Sequence, residues 1–171
     1  MEGINVVANL MALSARTAPK AVGKDYVVIE ILEGKDIKRL GDGMVEYGRE
    51  SGKTHFDRDG ENVLQSSAVV LIGLKDAETA GLNCGACGEE VCLQINAFDG
   101  EFSGPQCAIR VLDMGIALGS AVKMASLMNV DNRIMYRIGV VARKLGLIDA
   151  DMAMGIPLSA TGKSPYYDRA P

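Results

Sequence analysis

Apolar residues first follow a helical rhythm, then a β rhythm, along this chain. Ile4, Val7, Leu10 and Met11 fall on one side of a segment running to Ser14, with Asn5 and Asn9 opposite, which predicts a short amphipathic helix. Pro19 and Gly23 break the polar stretch 15–25 into a basic loop. The β-branched run DYVVIEIL at 25–32 predicts a strand, ended by Gly34. Ile37, Leu40, Met44 and Tyr47 then return to one face of a helix over 35–50. Residues 50–62, ESGKTHFDRDGEN, read as a polar connection in which the lone His55 is a surface residue. The continuous apolar run AVVLIGL at 68–74 has the length of a strand covered on both faces.

Residues 81–107 lack this periodicity. They carry Gly81, Gly85, Gly88, Gly100 and Gly104 and all four cysteines of the chain. A stretch of that length without regular structure inside a compact domain is usually functional, and it reads as an insertion between core elements. From Ala108 to Met128 the chain is apolar nearly all round, with Arg110, Asp113, Ser120 and Lys123 on one stripe, as in a helix buried in a core or a subunit interface. Asp131 is placed to cap a following helix carrying Ile134, Ile138, Val141 and Leu145, with Gly146 as its stop. Residues 150–158 predict a last strand, running into the polar tail SATGKSPYYDR.

Composition narrows the function classes. The 48% hydrophobic and 23% charged content is that of a globular domain, and 171 residues suit a single one, 1–171. A formal charge of −4 and the absence of Trp argue against a nucleic-acid partner. The N-terminus shows no secretory signal, and the run 111–128 carries Asp113 and Lys123, so the expectation is a cytoplasmic protein without a membrane span. No Ser–His–Asp set or H-E-x-x-H pattern supports hydrolytic chemistry.

In a reducing compartment four cysteines point to metal ligands or catalytic thiols rather than disulfides. Cys84, Cys87, Cys92 and Cys107 have the spacing C-x2-C-x4-C-x14-C. The close pair in NCGACG puts two thiolates on one glycine-rich turn, whose free N–H groups can bond to cluster sulfides. The fourth cysteine arrives after Pro105. This three-plus-one pattern predicts a 4Fe–4S cluster. Structural zinc, normally held by two short-spaced knuckles, and a Cys84–Cys87 redox dithiol are the alternatives.

Two basic loops add a second candidate. Arg16, Thr17 and Lys20 follow the first helix, and Ser159, Thr161 and Lys163 follow the last strand, with Arg169 beyond. Cations, hydroxyls and free N–H groups are what a phosphate needs, so these six residues form a candidate anion site. Solvated loop charge is the simpler reading of each loop alone.

The segments SARTAPKAVGKDYVV, LNCGACGEEVC, GPQCAIRVLDMGIALGSAVK, VDNRIMYRIG and GIPLSATGKSPYYDR resemble a family of prokaryotic ferredoxin-domain proteins, over essentially the whole chain. The cysteine segment is also similar to the 4Fe–4S domains of corrinoid iron–sulfur proteins and of membrane-linked electron-transfer subunits. Around it, the Ala18-Pro19 loop, the long Gly/Ala-rich helix and the Gly155-Ile156-Pro157 phrase resemble the FMN-dependent nitroreductase fold. That resemblance implies an α+β sheet flanked by helices and a homodimer packed through the long helix. It also implies FMN between subunits, with Arg16, Lys20 and Lys163 standing in for an arginine-rich flavin-phosphate segment. The expectation is an oxidoreductase exchanging electrons between a 4Fe–4S cluster and a flavin, a partner protein or a small-molecule acceptor. A flavin-free electron carrier or redox sensor, and a structural zinc protein, remain open.

Overall fold

The computed structural model describes residues 2–167; Arg169 lies outside them. Helix α1 (Glu2–Thr17) leads through a single 3-10 turn (Ala21–Gly23) to strand β1 (Val27–Leu32). Helices α2 (Lys35–Ser51) and α3 (Phe56–Leu64) precede strand β2 (Ala68–Leu74). A long excursion follows, with only a two-residue hairpin, β3 (Phe98–Asp99) and β4 (Ser103–Gly104). Helix α4 (Ala108–Leu127), strand β5 (Asp131–Asn132), helix α5 (Tyr136–Lys144) and strand β6 (Met152–Ser159) complete the order.

Strands β1, β2, β6 and β5 form one antiparallel sheet in that order. All seven residues of β2 are buried, so the uninterrupted apolar run marks a strand covered on both faces. Period-two alternation divides its side chains between two cores. Val70, Ile72 and Leu74 pack with Ile4, Val7 and Met11 of α1 and Met114 and Ala121 of α4. Val69 and Leu71 face Leu40 and Met44 of α2, Phe56 of α3, and Ile138 and Val141 of α5. The result is an α+β layer structure with α1 and α4 on one face and α2, α3 and α5 on the other.

Two local expectations are corrected. Residues 56–62 of the supposed polar connection belong to helix α3. Phe56 and Val63 bury one side of it, and Asp59, almost fully buried, is held by Arg58 at 2.7 Å and Arg137 at 3.0 Å. Tertiary contacts thus override a weak local pattern. Asp131 caps no helix: it pairs with Ser159 in the sheet, and α5 starts five residues later without a side-chain cap. On α4, Arg110 and Asp113 of the polar stripe are buried, whereas Leu112 and Ile116 are exposed. Among the described residues no helix is long and apolar enough to cross a membrane.

Candidate metal centre

The four cysteines come together from two directions. Cys84, Cys87 and Cys92 lie on the loop that leaves β2, and Cys107 is the N-cap residue of α4. All four line one pocket, together with Ala80 and Ala108. Gly85 (φ 70°) and Gly88 (φ 91°) turn the loop through the left-handed region, where a side chain would be strained, and the Gly88 N–H donates to the Gly85 carbonyl at 2.9 Å. The Asn83 side-chain carbonyl accepts the Cys92 N–H at 3.0 Å and closes the loop around the pocket. Cys84 and Cys87 are exposed, Cys92 is half-buried and Cys107 is buried.

Burial pushes the Cys107 thiol up, but the N–H groups of Ala80, Arg110 and Ile109 and the charge of Arg110 outweigh it, and its pKa is lowered. The site therefore favours thiolate at its most buried cysteine. The chemistry of the set fits an iron–sulfur centre: four soft thiol donors around one pocket. The thiols ring the pocket rather than meet at a point. Among the described residues no three His, Cys, Asp or Glu side chains converge closely enough to hold a single metal ion.

Both ends of the excursion are pinned to the sheet. The buried Asp151 carboxylate accepts the Asp76 N–H at 2.6 Å and the Asn96 side-chain amide at 3.1 Å. The Asp151 carbonyl takes the Ser103 N–H at 2.8 Å. Arg143 of α5 grips the β3–β4 hairpin through Asp99, Ser103 and the Glu101 carbonyl. Near the start of the excursion, Arg110 Nε, one turn after Cys107, donates to the Glu78 carbonyl at 3.0 Å. Asn83, Arg110 and Asp151 were not legible as site-building residues from sequence. The nearest signal was a charged pair, Arg110 and Asp113, in an otherwise apolar helix.

Within one chain the anion-site candidates are split between two places, Arg16 and Ser159 lying at opposite ends of the sheet. Arg16 donates to the Val27 carbonyl at 2.6 Å, at the end of the sheet where Val27, Leu74 and Met152 are aligned. Ser159 is fully buried at the opposite end of β6, about 23 Å away at roughly 3.3 Å per residue. The cations also have a counter-charge, Asp25, 2.8 Å from Arg16 and 3.9 Å from Lys20. Burial draws the Lys20 ammonium down, against the pull of Asp25. Lys20 caps the carbonyls of Ala15 and Arg16 at 3.0 and 2.7 Å, and Thr17 bonds back to the Leu13 carbonyl at 3.1 Å. The Thr161 hydroxyl donates to the Lys163 carbonyl at 2.9 Å, within the tail itself. Thr17 does share a groove with Ser120 and Lys123 of α4.

Comparison with known proteins bears on both halves of this geometry. A protein of Archaeoglobus fulgidus is 52% identical, across 99% of this chain and 94% of its own length. Residues 103–169 match the family model described as "Uncharacterized protein containing a ferredoxin domain (DUF2148)". The chain belongs to that family. Among solved structures, the FMN-dependent nitroreductase NfnB of Mycobacterium smegmatis, determined with NADPH, superposes with a TM-score of 0.62. That match has 13% identity over 98% of this chain and 83% of the other. A nitroreductase family protein of Clostridium novyi gives 0.58 at 15% identity, over 92% and 74%. The fold of this ferredoxin-domain protein is therefore the nitroreductase fold.

Proposed function

We propose that this protein is an iron–sulfur redox protein whose Cys84, Cys87, Cys92 and Cys107 hold one 4Fe–4S cluster. The observation that carries the reading is the arrival of all four thiols, from a loop and from a helix N-terminus, at one pocket. Tetrahedral zinc would need sulfurs about 3.8 Å apart, given Zn–S near 2.3 Å, whereas a cubane reaches across a wider ring. The cluster, when bound, supplies one-electron chemistry. The chain's own part is to hold four thiolates, to present amides to sulfide, and to keep Cys107 away from water.

The electrons pass to or from a flavin or an external acceptor. The solved relative from M. smegmatis is FMN-dependent, and the shared fold extends that expectation to this chain. A single chain keeps the Arg16 and Ser159 loops at opposite ends of the sheet. FMN bound by both loops thus requires two chains, each contributing one loop to a site between them. A flavin-free electron carrier is the second reading, favoured by the Asp25 counter-charge that already satisfies Arg16 and Lys20.

Anaerobic purification tests the reading. Brown protein with about four iron and four acid-labile sulfide per chain is expected. Zinc without sulfide would replace it with the structural-staple alternative. Titration with FMN then separates the two redox readings: saturable binding supports the flavoprotein, and its absence supports the carrier.

A further inference from the structure

The cysteine loop is also a surface, and its composition is unlike the rest of the chain. Every residue from Gly81 to Val91 is exposed, including two of the four cluster ligands. Leu82 and Val91, on the rim of the cysteine pocket, are 56% and 69% exposed. Between Asp76 and Ile109 there are six acidic residues and no Lys, Arg or His, while the rest of the chain holds 16 acids against all 18 Lys and Arg. Four of these six acids pair with a cation where they stand: Asp76 with Lys75, Glu78 with Lys24, Asp99 with Arg143 and Glu101 with Lys53. Glu89 and Glu90, between Cys87 and Cys92, form no ion pair among the described residues, so their charge faces outward.

We infer that the rim 81–91 is the docking face for a redox protein that presents a basic patch around its own cofactor. This rests on the cluster reading above. Two features converge on it. Outward negative charge beside apolar residues is the arrangement that steers a cationic partner and then excludes water from the contact. The exposure of Cys84 and Cys87 brings the edge of the centre to that same surface, where a partner's cofactor can approach it. An aromatic-free, half-apolar rim of this size suits a transient contact rather than an obligate interface.

The probe is ferricytochrome c, a small haem protein with a basic face, titrated into anaerobically purified holoprotein by calorimetry at low and at moderate ionic strength. Binding at about 20 mM salt, weakened about tenfold or more by 0.3 M salt, is expected as charge screening sets in. Glu89→Gln/Glu90→Gln should weaken the low-salt complex by a similar factor. Glu33→Gln/Glu61→Gln, which removes the same charge from exposed positions elsewhere, should leave it within about twofold. Absence of binding at low salt, or equal weakening by the two double variants, would overturn the docking face. Self-association abolished by the Glu89/Glu90 change would overturn it in favour of a contact between copies of this chain. Iron and sulfide analysis of the same samples tests the cluster separately: salt-sensitive, variant-sensitive binding by metal-free protein would sink the cluster and keep the basic-partner surface.

Discussion

Arg110 and Asp113 meet at 3.1 Å as a buried ion pair one turn apart on α4, and together they take both polar atoms of Ala21. The Ala21 N–H donates to Asp113 at 2.8 Å, and Arg110 donates to the Ala21 carbonyl at 2.9 Å. Arg110 also lies over the Tyr26 ring at 4.9 Å, and Tyr26 and Lys24 both reach Glu78. The loop after α1, the start of the cysteine excursion and the helix that begins at Cys107 are thereby tied at one point. The tie also holds Val22, a β-branched residue, at φ 58°, where such a residue is strained.

Breaking this pair from one side should be costly. Arg110→Met leaves Asp113 charged and unmatched in the interior, a loss of about 3–5 kcal/mol. Arg110→Met combined with Asp113→Leu removes both charges and should cost clearly less. Urea denaturation of the purified proteins measures both. A double variant no more stable than the single one would refute the clamp.

The cysteines make a second prediction. If all four line one cluster, as proposed, replacing any one by Ser should lower bound iron and loosen the loop. Iron and sulfide analysis reads the outcome. Full retention of both in Cys92→Ser and in Cys107→Ser would show that the centre does not use four ligands.

Much of the layer structure was legible from the chain because its signals are local. AVVLIGL could only be a doubly covered strand, and the α2 stripe Ile37, Leu40, Met44 follows helical spacing closely. Helix α3 was hidden because five of its nine residues are charged or amide-bearing, and its reasons lie elsewhere in the fold. Gly60 of α3 and Gly41 of α2 permit close approach: a Cβ on Gly60 would stand 2.8 Å from the Gly41 carbonyl oxygen. The candidate cysteine centre could be read from the chain because its four thiols are close in sequence and of one chemistry, and the structure brings them to one pocket. The loops at Arg16 and Ser159 suggested one site because their composition is alike. Which end of the sheet each occupies depends on strand register, which composition does not encode.

Gly139 is a position that only the structure exposes. A Cβ there would fall 1.8 Å from the Ala153 carbonyl oxygen, so α5 lies almost in contact with the backbone of β6. Gly139→Ala should force the two elements apart and cost about 3 kcal/mol or more. Thermal unfolding checks this; an unchanged Tm would contradict the packing of α5 on the sheet.

Tyr166 anchors the tail after β6 and carries a pH signature. Its ring is fully buried, its hydroxyl is 2.9 Å from Ser66 Oγ, and Arg133 donates to its carbonyl at 3.0 Å. Burial raises its pKa above the ordinary 10.0 of a tyrosine. A raised folded value means that the phenol's stabilising contribution is complete below pH 10 and is lost as pH climbs through the higher folded value. Tyr166→Phe should cost about 1 kcal/mol at neutral pH, since Ser66 keeps its bond to the Asn62 carbonyl. The variant should also escape the alkaline loss. Stability curves for the two proteins that stay parallel above pH 10 would remove Tyr166 as the alkaline-sensitive anchor.

The last prediction concerns assembly. Helix α4 buries Met114, Ala117, Ala121 and Ala125 against the sheet, yet its outer face carries Leu112, Ile116 and Leu127 at 60%, 45% and 65% exposure. Between them Gly115 and Gly119 have nothing within 4 Å of an added Cβ, which leaves room for another backbone to approach closely. The neighbouring helix α1 adds Val6 and Leu13, exposed at 55% and 60%. Apolar surface of this kind on two adjoining helices is what a homodimer of the size class above about 2,000 Å² would cover. Such a dimer is also what would allow the Arg16 loop of one chain to meet the Ser159 loop of another. Light scattering at micromolar concentration should therefore give twice the chain mass, and Ile116→Glu, which puts a charge into the contact, should give the single-chain mass with its helical content intact. The same variant should lose any FMN that the wild type binds, because a site built from two chains cannot outlast their separation. A wild-type monomer would end the dimer proposal and with it the shared flavin site; a monomeric Ile116→Glu that still bound FMN would keep the dimer and place the flavin within one chain.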